Sequence, residues 1–356
     1  MILSVAWRNI WRNKLRSSII LIAIAIGIFA GVFSWAFYSG MVNQRIQSAI
    51  KTEASHIQIH HEKYLSDPDV KRTIENSTAI MNEIAANESI IAVSGRILVN
   101  GMAMSAQTGT GVKISGIDPK KEKEVTNLYT KVVEGTYLDS ARKNSVLIGA
   151  KLADKLNVKM RSKIVLYLQA MDGTMIRSQF RVAGIYKTSN STYEEMNIFV
   201  KAEDICPHIA MNHEAAHQVA ILLESNERVE EIAELLAEQY DSLDVKTWRQ
   251  IMPEVSMVEE TFNISMYFFM IIILLALCFG IINTMLMAVL ERMKELGMLM
   301  AIGMNKARVF FMIVTEPILL SLSGGIVGIA IASFITYLAS KSGIDLSDFA
   351  AAYASL

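Results

Sequence analysis

Histidines, carboxylates and glycines are the residues of this chain whose types and spacing could do chemistry. His213-Glu214-Ala215-Ala216-His217 is a literal H-E-x-x-H. On a helix its two histidines share a face and can bind zinc, with Glu214 as general base. The surroundings oppose that chemistry. The strand-like QVAILLE follows at once, Pro207 lies upstream, and no third ligand is evident beyond nearby His208. The motif also lies outside every apolar run, which argues against an intramembrane protease. A polar loop without metal is expected, and zinc proteolysis is the least favoured reading. His56, His60 and His61 form a second cluster, but no Cys or carboxylate completes a metal set, so a solvated strand is expected. Glu316 is ionisable yet sits inside an apolar run, where charge is costly. Structural pairing, or a bend shared with Pro317, is expected ahead of a proton relay. Gly109-Thr110-Gly111-Val112-Lys113 lacks the second half of a phosphate-binding P-loop, and no G-x-S-x-G elbow or Cys/His dyad is present. Cys206 and Cys278 are too few for a disulfide framework and read as inert thiols.

The elements that must hold these residues are set by where the apolar residues fall. Of 356 residues, 52% are hydrophobic and only 19% charged. The net charge of −1 argues against a general nucleic-acid binder. The hydrophobic excess gathers in three runs, within 19–38, 268–290 and 309–340. Each is long enough to span the roughly 30 Å of a hydrocarbon core as a helix. The first run exceeds a signal-peptide core and has no clear cleavage site after it, so a retained anchor is expected. Gly27-x-x-x-Gly31 and Gly324-x-x-x-Gly328, with Gly325 beside the latter, allow close helix approach, either in a dimer or within one subunit.

Charge sets the expected topology. Arg8, Arg12, Lys14 and Arg16 precede the first run, and Arg292, Lys294, Lys306 and Arg308 sit between the second and third. By the positive-inside rule both segments are cytoplasmic, which puts the large middle segment outside. Residues 1–17 read as an interfacial amphipathic helix, with Trp7 and Trp11 at headgroup level. The expected spans are 18–42, 262–290 and 309–340, with an extracytoplasmic domain over 43–261 and a tail over 341–356. Within the outer domain, the segment from His56 to His60 suggests a strand, and Asp172-Gly173 marks a hairpin turn. Residues 145–158 read as strand then short helix, and 218–224 as a strand. Residues 226–240 read as an amphipathic helix facing inward with Val229, Ile232, Leu235 and Leu236. A helical stalk follows Pro253. This order implies an α+β domain attached to α-helical spans.

The loop ERMKELGMLMAIGMNKAR, residues 291–308, is helical and amphipathic, with Met293, Leu296, Met300 and Met304 at three- and four-residue spacing and Gly297 and Gly303 as punctuation. A methionine face suits an adaptable groove on another protein. Here the sequence becomes recognisable. Residues 283–328, NTMLMAVLERMKELGMLMAIGMNKARVFFMIVTEPILLSLSGGIVG, resemble the FtsX-like permease domain of type VII, MacB-type, ABC transporters. AWRNIWRNKLRSSIILIAIAIG resembles that family's opening, and SVLIGAKLADKLNV and FRVAGIYKT resemble its periplasmic core domain. SGRILVNG, ISGIDP and VVEGTYL are most similar to lipoprotein-releasing permeases of the LolC/LolE kind.

The resemblance implies a multi-pass permease of the bacterial cytoplasmic (inner) membrane. It implies a partner ATPase dimer that holds ATP and Mg, with no cofactor bound by this chain and no catalytic residue in it. It implies a second permease subunit, in a homo- or heterodimer, and lipoprotein or amphiphilic cargo. Glu291, Arg292, Met293, Glu295, Leu296, Gly297, Met300, Ala301 and Gly303 match the coupling region that takes up ATPase closure and transmits it outward. MacB-like efflux of small molecules or peptides, and FtsX-like control of cell-wall hydrolases, are the alternative activities. The family has a fourth span, and the chain stops about one helix short of it.

Overall fold

The computed structural model describes residues 14–138, 142–212 and 214–342. Residues 1–13 of the expected amphipathic helix, 343–356 of the expected tail, and His213 lie outside the described residues. The chain divides into two compact units, Gln44–Met257 and Met1–Asn43 with Val258–Leu356.

The chain begins in α1 (Lys14–Ala49), which ends in one π turn at Ile50–Ala54. The Ser55 N–H reaches back to the Ile50 carbonyl at 2.8 Å, and Ser55 takes φ 65°, so the helix stops and a strand follows. The outer unit then runs β1 (Ile57–His61), α2 (Ser77–Ile84), β2 (Ile90–Met104), β3 (Gly109–Ile117), α3 (Pro119–Val125), β4 (Val132–Gly135), β5 (Ser145–Gly149) and α4 (Ala150–Leu156). It continues with β6 (Lys163–Gln169), β7 (Met175–Tyr186), α5 (Ser191–Met196), β8 (Asn197–Lys201), α6 (Ala202–Ile209), β9 (Gln218–Leu223), α7 (Val229–Gln239), β10 (Leu243–Thr247) and α8 (Trp248–Ile251).

These strands form a sheet of order β10-β1-β9-β2-β3-β8-β5-β7-β4, with β6 pairing both β2 and β7. The pairings β2–β3–β8–β5–β7–β6 therefore return to β2, and six strands close into a barrel. Alternation fills it. Ile97, Val99, Ile114, Val146, Ile148, Ile164, Leu166, Phe180, Val182, Ile198 and Val200 belong to one buried cluster, which α4 and α6 join through Leu152, Leu156, Ile205 and Ile209. The strand β2 makes this possible by changing partners. Its first half pairs β9 from Ile90 to Arg96, and its end pairs β6 from Gly101 to Met104. The expected hairpin joins β6 to β7, with Gly173 at φ 90° and Asp172 Oδ1 accepting the Thr174 N–H at 2.8 Å. The helix α7 buries Val229, Ile232, Ala233 and Leu236; Leu235, expected on that face, is exposed.

The second unit holds the helices long and apolar enough to cross a membrane: most of α1, then α9 (Pro253–Glu291) and α11 (Lys306–Ser342). Proline at the first position of α9 costs no hydrogen bond, since that N–H has no partner inside the helix. The short α10 (Met293–Ala301) lies between α9 and α11.

The glycines explain how these helices approach. A Cβ on Gly27 would meet Leu277 at 2.6 Å, and one on Gly31 would lie 3.5 Å from Met270, so this pair receives α9. A Cβ on Gly324 would lie 3.1 Å from Ile24, and one on Gly328 would lie 2.7 Å from the Ala25 carbonyl, so this pair receives α1. Gly325 faces Ile28 more loosely, at 3.4 Å. Of the two expectations for these glycines, packing within one chain accounts for them.

Candidate functional site

The coupling segment is built by two helix ends and a cap. The helix α9 stops at Glu291, and Arg292 takes φ −101° and ψ 11°, which turns the chain into α10. Gly303 ends α10 at φ 100°, with its own N–H on the Met300 carbonyl and the Met304 N–H on the Leu299 carbonyl, both at 3.1 Å. This is a Schellman closure, which needs a left-handed residue and takes glycine most cheaply. Asn305 Oδ1 then accepts the Ala307 N–H at 3.1 Å and starts α11.

Glu316 finds its partner here. Its Oε2 accepts from Arg292 Nη1 at 3.2 Å, with both side chains about one-fifth exposed. The expected structural pairing is thus made, and it ties the start of the coupling segment to the third span-length helix. Pro317 is inside α11, where it removes one backbone donor beside this pair. A cavity of about 230 Å³ opens beside the pair, lined by Thr284, Met285, Glu295, Leu296 and Leu299 among others.

The expected methionine face is corrected in one respect. Leu296 is buried and lines this cavity, whereas Met293, Met298, Met300 and Ile302 are exposed. Leucine thus anchors α10, and Met293, Met298 and Met300 stay exposed around it. Glu295 and Ala301 are exposed, and Gly297 has open space where a Cβ would stand.

The histidine motifs have structural roles. His217 fills the gap where β2 changes partners: its Nδ1 accepts the Leu98 N–H at 3.2 Å, and its Nε2 donates to the Val70 carbonyl at 2.8 Å. Both ring nitrogens are used, so neither is free for a metal. Burial lowers the His217 pKa. Glu214 is exposed, and its carbonyl accepts from Ser77 Oγ at 2.8 Å. The solvated strand expected at His56 and His60 is instead buried between β9 and β10. His56 Nδ1 accepts the Leu223 N–H at 3.0 Å, and His60 lies between the His217 carbonyl and Gln58. Desolvation, reinforced by Lys51 for His56 and by Lys113 for His60, lowers both to about 4. No group of three metal-ligating side chains occurs among the described residues.

Sequence reasoning missed a buried ion pair. Arg96 Nη2 lies 2.7 Å from Glu122 Oε1 and its Nε 3.2 Å from Oε2. Ser94 and Thr126 also donate to that carboxylate. The only available signal was a charged residue on an apolar strand, and no spacing links residues 96 and 122.

Two family descriptions match this chain: MacB-like periplasmic core domain over residues 17–239, and FtsX-like permease C-terminal over residues 267–354. An ABC transporter permease of Methanocaldococcus jannaschii is 28% identical over 222 residues, covering 60% of this chain and 54% of that protein. The pyoverdine export ATP-binding/permease protein PvdT of Pseudomonas entomophila is 27% identical over 238 residues, covering 63% of this chain and 35% of that protein. The chain thus spans about half, or less, of the length of these relatives. The crystal structure of the periplasmic region of MacB from Actinobacillus actinomycetemcomitans aligns with a TM-score of 0.40 at 12% identity, covering 58% of this chain and 95% of that one. With the first family description covering more than half of its length, the chain belongs to the MacB-like periplasmic core domain family, here joined to an FtsX-like permease C-terminal domain.

Proposed function

We propose that this chain is a permease subunit of an ABC transporter that couples ATP hydrolysis by a partner ATPase dimer to movement of lipoprotein cargo outside the membrane. The supporting observation is α10, a short helix between two span-length helices. It is anchored by Leu296, fixed to α11 through Arg292 and Glu316, and leaves Met293, Met298 and Met300 exposed. Such a helix can receive a push from a cytoplasmic partner and pass it to α9 and α11 together. The outer unit is the part that would act on cargo. In this reading the chain sits in the bacterial inner membrane with the outer unit periplasmic, works beside a second permease subunit, and leaves ATP and Mg to the ATPase.

The test is Met293→Asp with Met298→Asp, co-expressed with the cognate ATPase. ATPase stimulation should fall at least tenfold while the permease still inserts and purifies. Unchanged stimulation and co-purification would remove α10 as the coupling element. Leu296→Asp is the wrong variant for this purpose, because it would put a charge into the packed side of α10.

The relatives' printed names favour a second cargo class, since one is an exporter of pyoverdine and another, from Vibrio parahaemolyticus, of macrolides. Photocrosslinkers at residues 40–60 would separate the two. Captured lipidated proteins support lipoprotein release, and captured small amphiphiles support efflux.

A further inference from the structure

Two cavities of the helical unit run into one another. The one beside the Arg292–Glu316 pair holds about 230 Å³, and a second, of about 490 Å³, lies between α1 and α9. Ile20, Ile281 and Thr284 line both. On α9 the lining residues Leu277, Ile281, Met285, Val289 and Arg292 recur every three or four residues. One face of the helix therefore runs through both cavities and rises about 22 Å from end to end. The two ends differ in chemistry. Charge gathers at the α10 end, whereas the α1–α9 groove is lined by Leu15, Ile19, Ile24, Ala276 and Leu277. Thr284 adds nothing polar to the groove, since its hydroxyl donates to the Gly280 carbonyl at 2.7 Å.

The groove is a space left by small residues. Ala23, Ala276 and Gly280 line it, and a Cβ on Gly280 would meet nothing within 4 Å. Ile19, Ala23, Ala276 and Gly280 are exposed, all within helices long and apolar enough to cross a membrane. In a bilayer there is no water at that depth, so hydrocarbon fills the groove. The other end is polar. Arg292 gives Nη1 to Glu316 Oε2. Neither the rest of that guanidinium nor Glu316 Oε1 has another hydrogen-bond partner among the described residues. A guanidinium has five N–H donors, so most of its capacity is open. Among the described residues of this wall Arg292 is the sole cation, while Glu295 supplies a second carboxylate. A purely anionic headgroup would meet an excess of negative charge here.

We propose that this continuous site holds one glycerophospholipid with a zwitterionic, primary-amine headgroup. Its phosphate accepts from the remaining N–H groups of Arg292, its ammonium donates to Glu316 Oε1, and one acyl chain fills the α1–α9 groove. Charge-assisted hydrogen bonds at one end and apolar filling at the other are the two contacts such a lipid offers. A choline headgroup has no N–H to donate, and a glycerol headgroup brings no positive charge, so both bind more weakly. The lipid lies in the leaflet at the α10 end of the bundle. The inference needs only that α1 and α9 lie in a bilayer, and depends on neither ATPase nor cargo.

The test is native mass spectrometry of the full chain in detergent. The chain is incubated with equal amounts of phosphatidylethanolamine, phosphatidylcholine and phosphatidylglycerol carrying the same acyl chains. One phosphatidylethanolamine per chain is expected, at least about fivefold above either of the others. Gly280→Leu fills the groove and should cut that retention at least about fivefold. Gly40→Leu is the control: its Cβ also meets nothing within 4 Å, but it lies on α1 outside the groove, so retention should not change. Helical circular dichroism checks that each variant is folded, and Ala276→Leu fills the same groove if Gly280→Leu is not. Glu316→Gln keeps an acceptor for Arg292 but removes the charge, so the preference over phosphatidylglycerol should shrink to less than about twofold. Equal retention of the three lipids would overturn the proposal. So would unchanged retention in the groove-filling variant, an equal loss in Gly40→Leu, or an undiminished preference in Glu316→Gln.

Discussion

Residue by residue, the outer unit depends on a few buried polar groups. Glu122 accepts from Arg96, Ser94 and Thr126 and is itself almost fully buried. A buried ion pair contributes little over an apolar pair of the same volume, but removing one partner strands the other charge. Glu122→Gln should therefore destabilise the outer unit by about 3–5 kcal/mol, and Arg96→Met with Glu122→Met should recover much of that loss. Urea unfolding followed by the β-sheet circular dichroism signal measures both. If the double variant is as unstable as the single one, uncompensated charge is not the cause. His217 makes the same point in another way. It completes the hydrogen bonding of β2 at Leu98, where a neighbouring strand is missing. The H-E-x-x-H spelling thus contains a histidine whose two nitrogens are already spent.

At the scale of elements, glycines that look alike in sequence do different work. Gly303 is at φ 100° and closes α10, whereas Gly297 lies within α10 with free space at its Cβ. Gly297→Ala should stabilise α10 by about 0.5–1 kcal/mol, while Gly303→Ala forces a left-handed alanine and should cost about 1 kcal/mol. Hydrogen exchange at the α10 amides would register the two in opposite directions; matching effects would mean that Gly303 is not a cap. In the helix bundle, Gly328→Leu would drive a side chain into the Ala25 backbone, whereas Gly325→Leu meets only the end of Ile28. The first should lower the melting temperature of the detergent-solubilised chain much more than the second, since overpacking against backbone typically costs about 1–3 kcal/mol. Equal effects would remove the α1–α11 contact as the reason for these glycines.

Much of this was legible in the sequence. The apolar runs gave the three long helices, the Asp172-Gly173 turn gave the β6–β7 hairpin, and the charge beside Pro317 pointed to a side-chain pairing, which Arg292 supplies. The ring closure was not legible, because β2 pairs three strands far apart in sequence, and alternation within a strand carries no information about its partners.

At the scale of the whole molecule, the two units should respond differently to acid. His56 and His60 are neutral in the folded outer unit, each with its pKa pushed down to about 4, and His217 is also lowered. In the unfolded chain each returns to about 6.5. Between these values the unfolded state binds more protons, so stability falls as pH drops through the window and levels off below about 4. Glu53 works in the opposite sense, because desolvation raises its pKa and the folded state takes its proton first. This one carboxyl opposes three histidines, of which His56 and His60 each contribute on the order of 3 kcal/mol at most. The urea midpoint of the β-sheet signal should therefore decline from about pH 6.5 to about pH 4, and His60→Gln should flatten that decline. The helical bundle contains none of these histidines, so its helical signal in detergent should hold across the same range. A midpoint independent of pH, or one that rises on acidification, would mean that the buried histidines carry charge in the folded unit. The outer unit is the one expected to face the environment, and its acid limit would then be set by the residues that join β1, β2 and β9 into one sheet.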